Sequence, residues 1–323
     1  MAERLIQTET LQNIANALRG GESQSAEDKI DVTDFATVAE QRWNDIKGII
    51  DKTIENVTIP SNQTYISNVF SNSALKGIYI PDNVTSIVKN AFYKCTELES
   101  VTFGNGLTSL PDALFDTCSS LKNVTIGSNI TTFGTTTFNN CTSLETITIP
   151  DNVTSIGTYC FKGCTALKNV TLSSNLVAMS GAFQNCSSLE SVEIPSGVTR
   201  LESVFQNCTS LKSFVVPRNI TILGNYAFSG CSSLESLYLP NTITTMGYQP
   251  LADIKSTAVI NCEFEEGTIS GAPWGAPAGV TINYGVTSGA KGTTKPTSTV
   301  VVTDEMVAEY EASLPKEEEE IKK

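Results

Sequence analysis

The sequence contains no histidine among its 323 residues. That absence excludes Ser-His-Asp and Cys-His nucleophile pairs, His-ligated zinc or iron, and the commonest general base near neutral pH. Charge is also scarce: Asp, Glu, Lys and Arg together make up 17% of the chain, with 34 acidic residues against 21 basic ones. Residues 1–56, 57–284 and 285–323 each carry a net negative charge. No Lys/Arg cluster offers a surface for tracking phosphates, so no nucleic acid partner is expected. No run approaches the roughly 20 apolar residues that span a bilayer, so no membrane insertion is expected either. The opening residues MAERLIQTETLQNIANALRGGE lack the apolar stretch and the small-residue cleavage site of a secretory signal, which argues against export by that route.

What the chain does have is a period. Phe70, Phe92, Phe115, Phe138, Phe161, Phe183, Phe205 and Phe228 recur every 22 or 23 residues. Three residues after each Phe stands a cysteine (Cys95, Cys118, Cys141, Cys164, Cys186, Cys208 or Cys231), with Ser73 in the first copy. A leucine follows three residues later, and then an alternating apolar pair such as Val101/Phe103 or Ile147/Ile149. Alternation over so short a span reads as a β-strand. The series runs from Val57/Ile59 to Val280/Ile282 and predicts about eleven strand rungs.

After each pair comes a turn whose third residue is Asn62, Asn83, Gly106, Asn129, Asn152, Asn175, Gly197, Asn219 or Thr242. Asn and Gly reach left-handed backbone most cheaply, so the pattern predicts positive φ there, with Thr242 as a strained exception. A second apolar pair, such as Val153/Ile156, precedes the next Phe. Each repeat is thus one coil of a solenoid with two inward edges and a Phe corner. A lone coil cannot bury its apolar edge; stacked coils can. The expected fold is mainly β, a solenoid with a stacked parallel sheet, a short helical N-terminal segment and a short C-terminal helix.

The run FNNCTSLETITIPDNVTSI, Phe138 to Ile156, resembles the BspA-type leucine-rich repeat, and the resemblance extends over 57–284. It implies an extended surface or interaction protein of bacteria, some protists or bacteriophages. The flanking segments, ETLQNIANALRGGESQSAEDKIDVTDFATVAEQRW and VINCEFEEGTISGAPWGAPAGVTINYG, are similar to segments beside such repeats in phage and prophage tail or virion-associated proteins. The expected function is therefore a non-enzymatic phage structural protein located in the virion. Its partners would be other virion proteins through the terminal segments and a host surface protein or glycan, with a homo-oligomer possible. The alternative is a bacterial cell-surface or secreted adhesin of the same fold.

Four regions follow. Residues 1–56 would cap or attach, with Leu11, Ile14 and Leu18 on one helix stripe and Phe35, Val38 and Trp43 on another. Residues 57–284 form the solenoid, closed from about 258 by a segment in which Trp274 covers the last coil. Residues 285–302, rich in Gly, Ser and Thr, read as a flexible linker. In 303–323, Thr303 would N-cap a short helix with Met306, Tyr310 and Leu314 on its apolar stripe, held by a partner when ordered.

The cysteines recur one coil apart with no CxxC pair, so they read as small buried hydrophobes, nine free thiols including Cys160 and Cys262. No cofactor, metal or catalytic residue is expected. Asn-x-Ser/Thr sequences such as those at Asn83 and Asn152 follow from the repeat rather than from glycosylation. Glu97/Glu99 and Glu263/Glu265/Glu266 read as solvated carboxylates. The outward strand residues Tyr79, Thr102, Thr125, Thr148, Thr171, Glu193, Val215 and Tyr238 form the candidate partner-binding row.

Overall fold

A computed structural model describes residues 56–59, 61, 63–287 and 296–314. These fall into two compact units, divided between Leu176 and Val177. The N-terminal stripes with Leu11, Ile14, Leu18, Phe35, Val38 and Trp43 lie outside the described residues.

In the first unit the period-2 pairs become parallel strands. Asn56–Thr58, Gly77–Ile80, Ser100–Phe103 and Asn123–Thr125 form one ladder, and Thr146–Thr148 pairs with Asn169–Thr171. Equivalent residues face each other, Ile78 opposite Val101 and Val101 opposite Val124. The second apolar pair makes a shorter edge, with Ser109–Leu110, Thr132–Phe133 and Ser155–Ile156 in parallel. Between the edges lie the Phe corners. Phe70, Phe92, Phe115, Phe138 and Phe161 stack with ring centroids 5.3–5.4 Å apart. Phe92 through Phe161 are completely buried, and each such ring removed from water contributes about 1.5–3 kcal/mol.

Left-handed backbone occurs, but not at the turn positions expected from the sequence. Asn83, Gly106, Asn129, Asn152, Asn175, Gly197, Asn219 and Thr242 are not among the described residues with positive φ, and Asn62 is not described. The asparagines serve through their side chains. Asn129 Nδ2 donates to the Asn105 carbonyl at 2.8 Å, Asn175 Nδ2 to the Asp151 carbonyl at 2.9 Å, and Asn152 Nδ2 to the Ser128 carbonyl. Each carbonyl belongs to the preceding coil, where no strand partner reaches it. Thr242 has no positive φ, and its hydroxyl donates to a different carbonyl of the preceding coil, that of Ile220, at 3.0 Å. Gly106 answers a different need: a Cβ there would lie 2.2 Å from the Asp82 carbonyl oxygen. Positive φ sits two residues before and two residues after the Phe, as at Asn90 and Lys94 around Phe92 and at Ala113 and Thr117 around Phe115. There the N–H groups of Asn90, Phe92 and Lys94 all donate to the next coil, at Asp112, Leu114 and Asp116.

The second unit repeats this plan. Ser213–Val215, Ser236–Leu239, Val259–Cys262 and Thr281–Tyr284 are parallel, with Arg200–Leu201, Ile222–Leu223 and Thr245–Met246 on the short edge. Of the eleven expected rungs, the one at Val192/Ile194 forms no strand, although Val192 is buried. Two successive 22-residue steps, Phe161 to Phe183 and Phe183 to Phe205, meet at this point in the sequence.

Trp274 is buried edge-on against Phe264 and Tyr284, at 6.1 and 6.5 Å, and its indole N–H donates to the Ser270 carbonyl. The linker expected over 285–302 is partly strand. Ser298–Val301 runs antiparallel to Thr281–Tyr284, and Val302 is buried. Its Thr and Val residues supply the β-branched side chains that a strand favours. A helix follows over Asp304–Ser313, N-capped by Thr303 Oγ1, which accepts from the Met306 N–H. An ordered helix was expected to need a partner, but this chain holds it. Tyr310 is buried, and its hydroxyl accepts from the Gln249 N–H at 3.2 Å.

Candidate interaction surface

On the long edge of the first unit, each inward pair leaves one side chain outward. Tyr79 faces Thr102 and Thr102 faces Thr125 across the ladder, and Thr148 faces Thr171. All are exposed, Tyr79 by 52%. The residue two positions earlier adds a flanking row of Ser100, Asn123, Thr146 and Asn169. The two rows are polar and uncharged, with one aromatic ring on an outer rung.

In the second unit Glu193 is exposed and Val215 is 69% exposed. Tyr238 differs from the reading of it as a free contact residue. It is half-buried, and its hydroxyl donates to Glu263 Oε1 at 2.7 Å. Glu263, in turn, is not solvated. Its side chain is only 2% exposed; it pairs with Arg218 and accepts from the Asn241 N–H at 3.1 Å. Burial works to raise its carboxyl pKa, but the hydrogen bonds from Tyr238 and Asn241 and the Arg218 charge outweigh that, so it titrates below the usual glutamate range. Arg218 also reaches Asn241 Oδ1 at 3.1 Å, so this group staples three successive coils. Glu265 and Glu266 accept from Thr297 and Ser298 and hold the antiparallel strand. Beyond Tyr238 the outward row continues through Asn261, Asn283 and Thr299, joined side chain to side chain at 2.9 and 3.0 Å. The period weakens there, and sequence reading missed these residues.

The cysteines lie inside. Cys118 Sγ donates to the Phe92 carbonyl at 3.0 Å, Cys164 to Phe138 at 3.1 Å and Cys231 to Phe205 at 3.1 Å. All nine thiols are free and buried. Burial pushes Cys118, Cys141, Cys160 and Cys208 well up, and Cys231 to about 12, so they resist ionisation and reaction. Among the described residues no group of His, Cys, Asp and Glu could hold a metal, and no helix is long and apolar enough to cross a membrane. Met306 and Leu314 are half-buried on the docked helix, and Tyr310 is used by the chain itself.

The family model for the BspA type leucine-rich repeat region matches residues 51–153 and 134–257, in six copies. The chain belongs to this family. Among solved structures, this BspA-type chain is similar to a leucine-rich repeat protein from Bacteroides ovatus, at 22% identity and TM-score 0.51, over 64% of this chain and 66% of that one. It is also similar to a leucine-rich repeat protein from Eubacterium ventriosum, at 27% identity and TM-score 0.45, over 62% and 64%. A third is a leucine rich cell surface protein from Faecalibacterium prausnitzii, at 23% identity and TM-score 0.30, over 67% and 89%. The chain thus spans just under two thirds of the length of the first two relatives. The Bacteroides likeness supports the fold. No curated protein matches the chain.

Proposed function

We propose that this BspA-type chain is a non-enzymatic interaction scaffold of the bacterial cell-surface adhesin kind, which meets a host surface protein or glycan with the outward row of its first unit. One observation carries the reading. The repeated Phe, Cys and Leu and the turn Asn are consumed in stacking, whereas Tyr79, Thr102, Thr125, Thr148 and Thr171 are exposed and bear none of that load. Contacts repeated at the roughly 4.8 Å strand spacing are individually weak and add along one partner. Residues 1–56 would serve attachment or capping.

The virion reading keeps the same scaffold and changes its address. It rested on both flanks, and one of them, VINCEFEEGTISGAPWGAPAGVTINYG, is accounted for as the closing coils of the solenoid. Genes for tail proteins beside this one, and co-sedimentation with phage particles, would favour the virion.

Thr102→Lys combined with Thr148→Lys tests the surface. The purified chain is applied to immobilised extracellular-matrix proteins, to a glycan array and to host cells. The double variant should lose binding to whichever probe the parent chain retains, with an unchanged melting temperature. Equal retention by both proteins overturns the assignment of this face.

A further inference from the structure

Seven residues after each Phe, and at the matching place in the first copy, stands a charge whose sign changes with every coil. In the first unit the column reads Lys76, Glu99, Lys122, Glu145, Lys168. Glu190, Lys212, Glu235 and Lys255 continue it in the sequence of the second. Within each unit the backbone makes this a true column. The Glu99 N–H donates to the Lys76 carbonyl at 2.7 Å, Lys122 to Glu99 at 2.9 Å, Lys168 to Glu145 at 2.9 Å and Glu235 to Lys212 at 2.7 Å. The side chains rise from neighbouring rungs and meet as Lys122–Glu99 at 3.9 Å and Lys255–Glu235 at 2.8 Å. All nine are exposed except Lys255, which is half-exposed.

We infer that this alternating column is a register code, which separates correct coil-on-coil stacking from a slip by one coil, within the chain or in an out-of-step exchange of coils between two copies. The Phe and Cys ladders cannot make that distinction. Phe92, Phe115, Phe138 and Phe161 are interchangeable, as are Cys95, Cys118, Cys141 and Cys164, and a coil stacked one place out of order would still find Phe on Phe and Cys below carbonyl. Repeat proteins misassemble by this route. At the column a skipped coil sets Lys on Lys or Glu on Glu, about 5 Å apart at the rung spacing. Like charges directly opposite on paired strands repel. Odd and even coils are thereby told apart by sign alone, at a position that leaves the core untouched.

Three full-length variants test this. Lys122→Glu with Glu145→Lys keeps net charge and composition but sets Glu99 beside a second acid and Lys168 beside a second base. A second protein inverts the sign at all nine positions and so keeps every neighbour relation. A third carries Gln at all nine. Each is refolded by dilution from denaturant in low salt and in 1 M sodium chloride, where the screening length falls to about 3 Å. The monomer fraction is read by size-exclusion chromatography and the melting temperature of the recovered monomer is recorded. In low salt the scrambled protein should form about threefold or more misassembled oligomer than the parent, the Gln protein should fall between them, and the inverted protein should match the parent. The parent and the scrambled protein should converge in high salt. The inference is overturned if the scrambled protein recovers as much monomer as the parent, with or without a lowered melting temperature, or if the inverted protein misassembles as the scrambled one does.

Discussion

The Cys118 thiol lies 3.0 Å from the Phe92 carbonyl oxygen, one coil earlier, and that same oxygen accepts the Cys95 N–H at 3.2 Å. A carbonyl has two lone pairs; a backbone N–H fills one and the thiol fills the other. Cys118→Ala should therefore destabilise by about 1–3 kcal/mol through the deserted acceptor and the small cavity. Cys118→Ser should lose less, since a hydroxyl can donate in the same place, as Ser73 stands at this position in the first coil. Chemical denaturation of the three proteins side by side measures the difference. A Ser variant as unstable as the Ala variant would show that the thiol acts by bulk alone.

Phe161→Ala should cost roughly 3–5 kcal/mol, because its ring is fully buried and stacks on Phe138 at 5.4 Å. Denaturant midpoints with an unchanged m-value would establish the loss as one of packing. A loss near zero would contradict the continuous ring stack.

Asparagine and glycine part company at two places. Asn175→Ala and Asn175→Gly should both destabilise by about 1 kcal/mol, since either removes the donor to the Asp151 carbonyl and glycine gains nothing where φ is negative. Gly163→Ala should also destabilise, because φ is +73° and the new Cβ would meet Asn140 Oδ1 at 2.3 Å. Thr117→Gly, at φ 64°, should be neutral or stabilising by up to about 1 kcal/mol, since a β-branched residue is strained there. Thermal melts of the four variants decide the pattern.

Glu263 predicts a pH dependence. Its folded-state carboxyl lies below its unfolded value, so its stabilising share is complete above the unfolded pKa of about 4.3 and fades as pH falls through the folded value. The melting temperature of the parent should therefore drop below about pH 4.3 more steeply than that of Glu263→Gln, whose own melting temperature should be lower at pH 7. Parallel curves would remove Glu263 from the acid response. Tyr238→Phe should cost about 1 kcal/mol and leave partner binding unchanged; a loss of binding with no loss of stability would return Tyr238 to the contact surface.

The strands, the Phe corners, the buried cysteines and the terminal helix were legible in the sequence because each core demand recurs at one position per coil, and repetition separates demand from accident. The role of asparagine was not, since the same letter serves a left-handed backbone or a side-chain donor, and only coordinates show that the donor at Asn129 is used. Glu263 looked solvated because its partners Tyr238 and Arg218 lie in earlier coils and meet it only once the register is set. The strand at Ser298–Val301 was hidden by a composition shared between linkers and β-structure. Of the candidate row, the Thr positions were legible as outward, whereas the fate of Tyr238 depended on a neighbour. The alternating Lys and Glu column keeps the same period, but its pairing emerges only down the stack.

The antiparallel strand Ser298–Val301 bears on how such a protein can change in length. A parallel coil presents its successor with the same slanted hydrogen-bonding edge it received, so interior coils can be duplicated or deleted in the gene without mending the join. The reversed strand offers an edge of another pattern, on which the next repeat has no seat. Addition of coils beyond this strand is thereby disfavoured, and the alternating charges favour coils gained or lost in pairs.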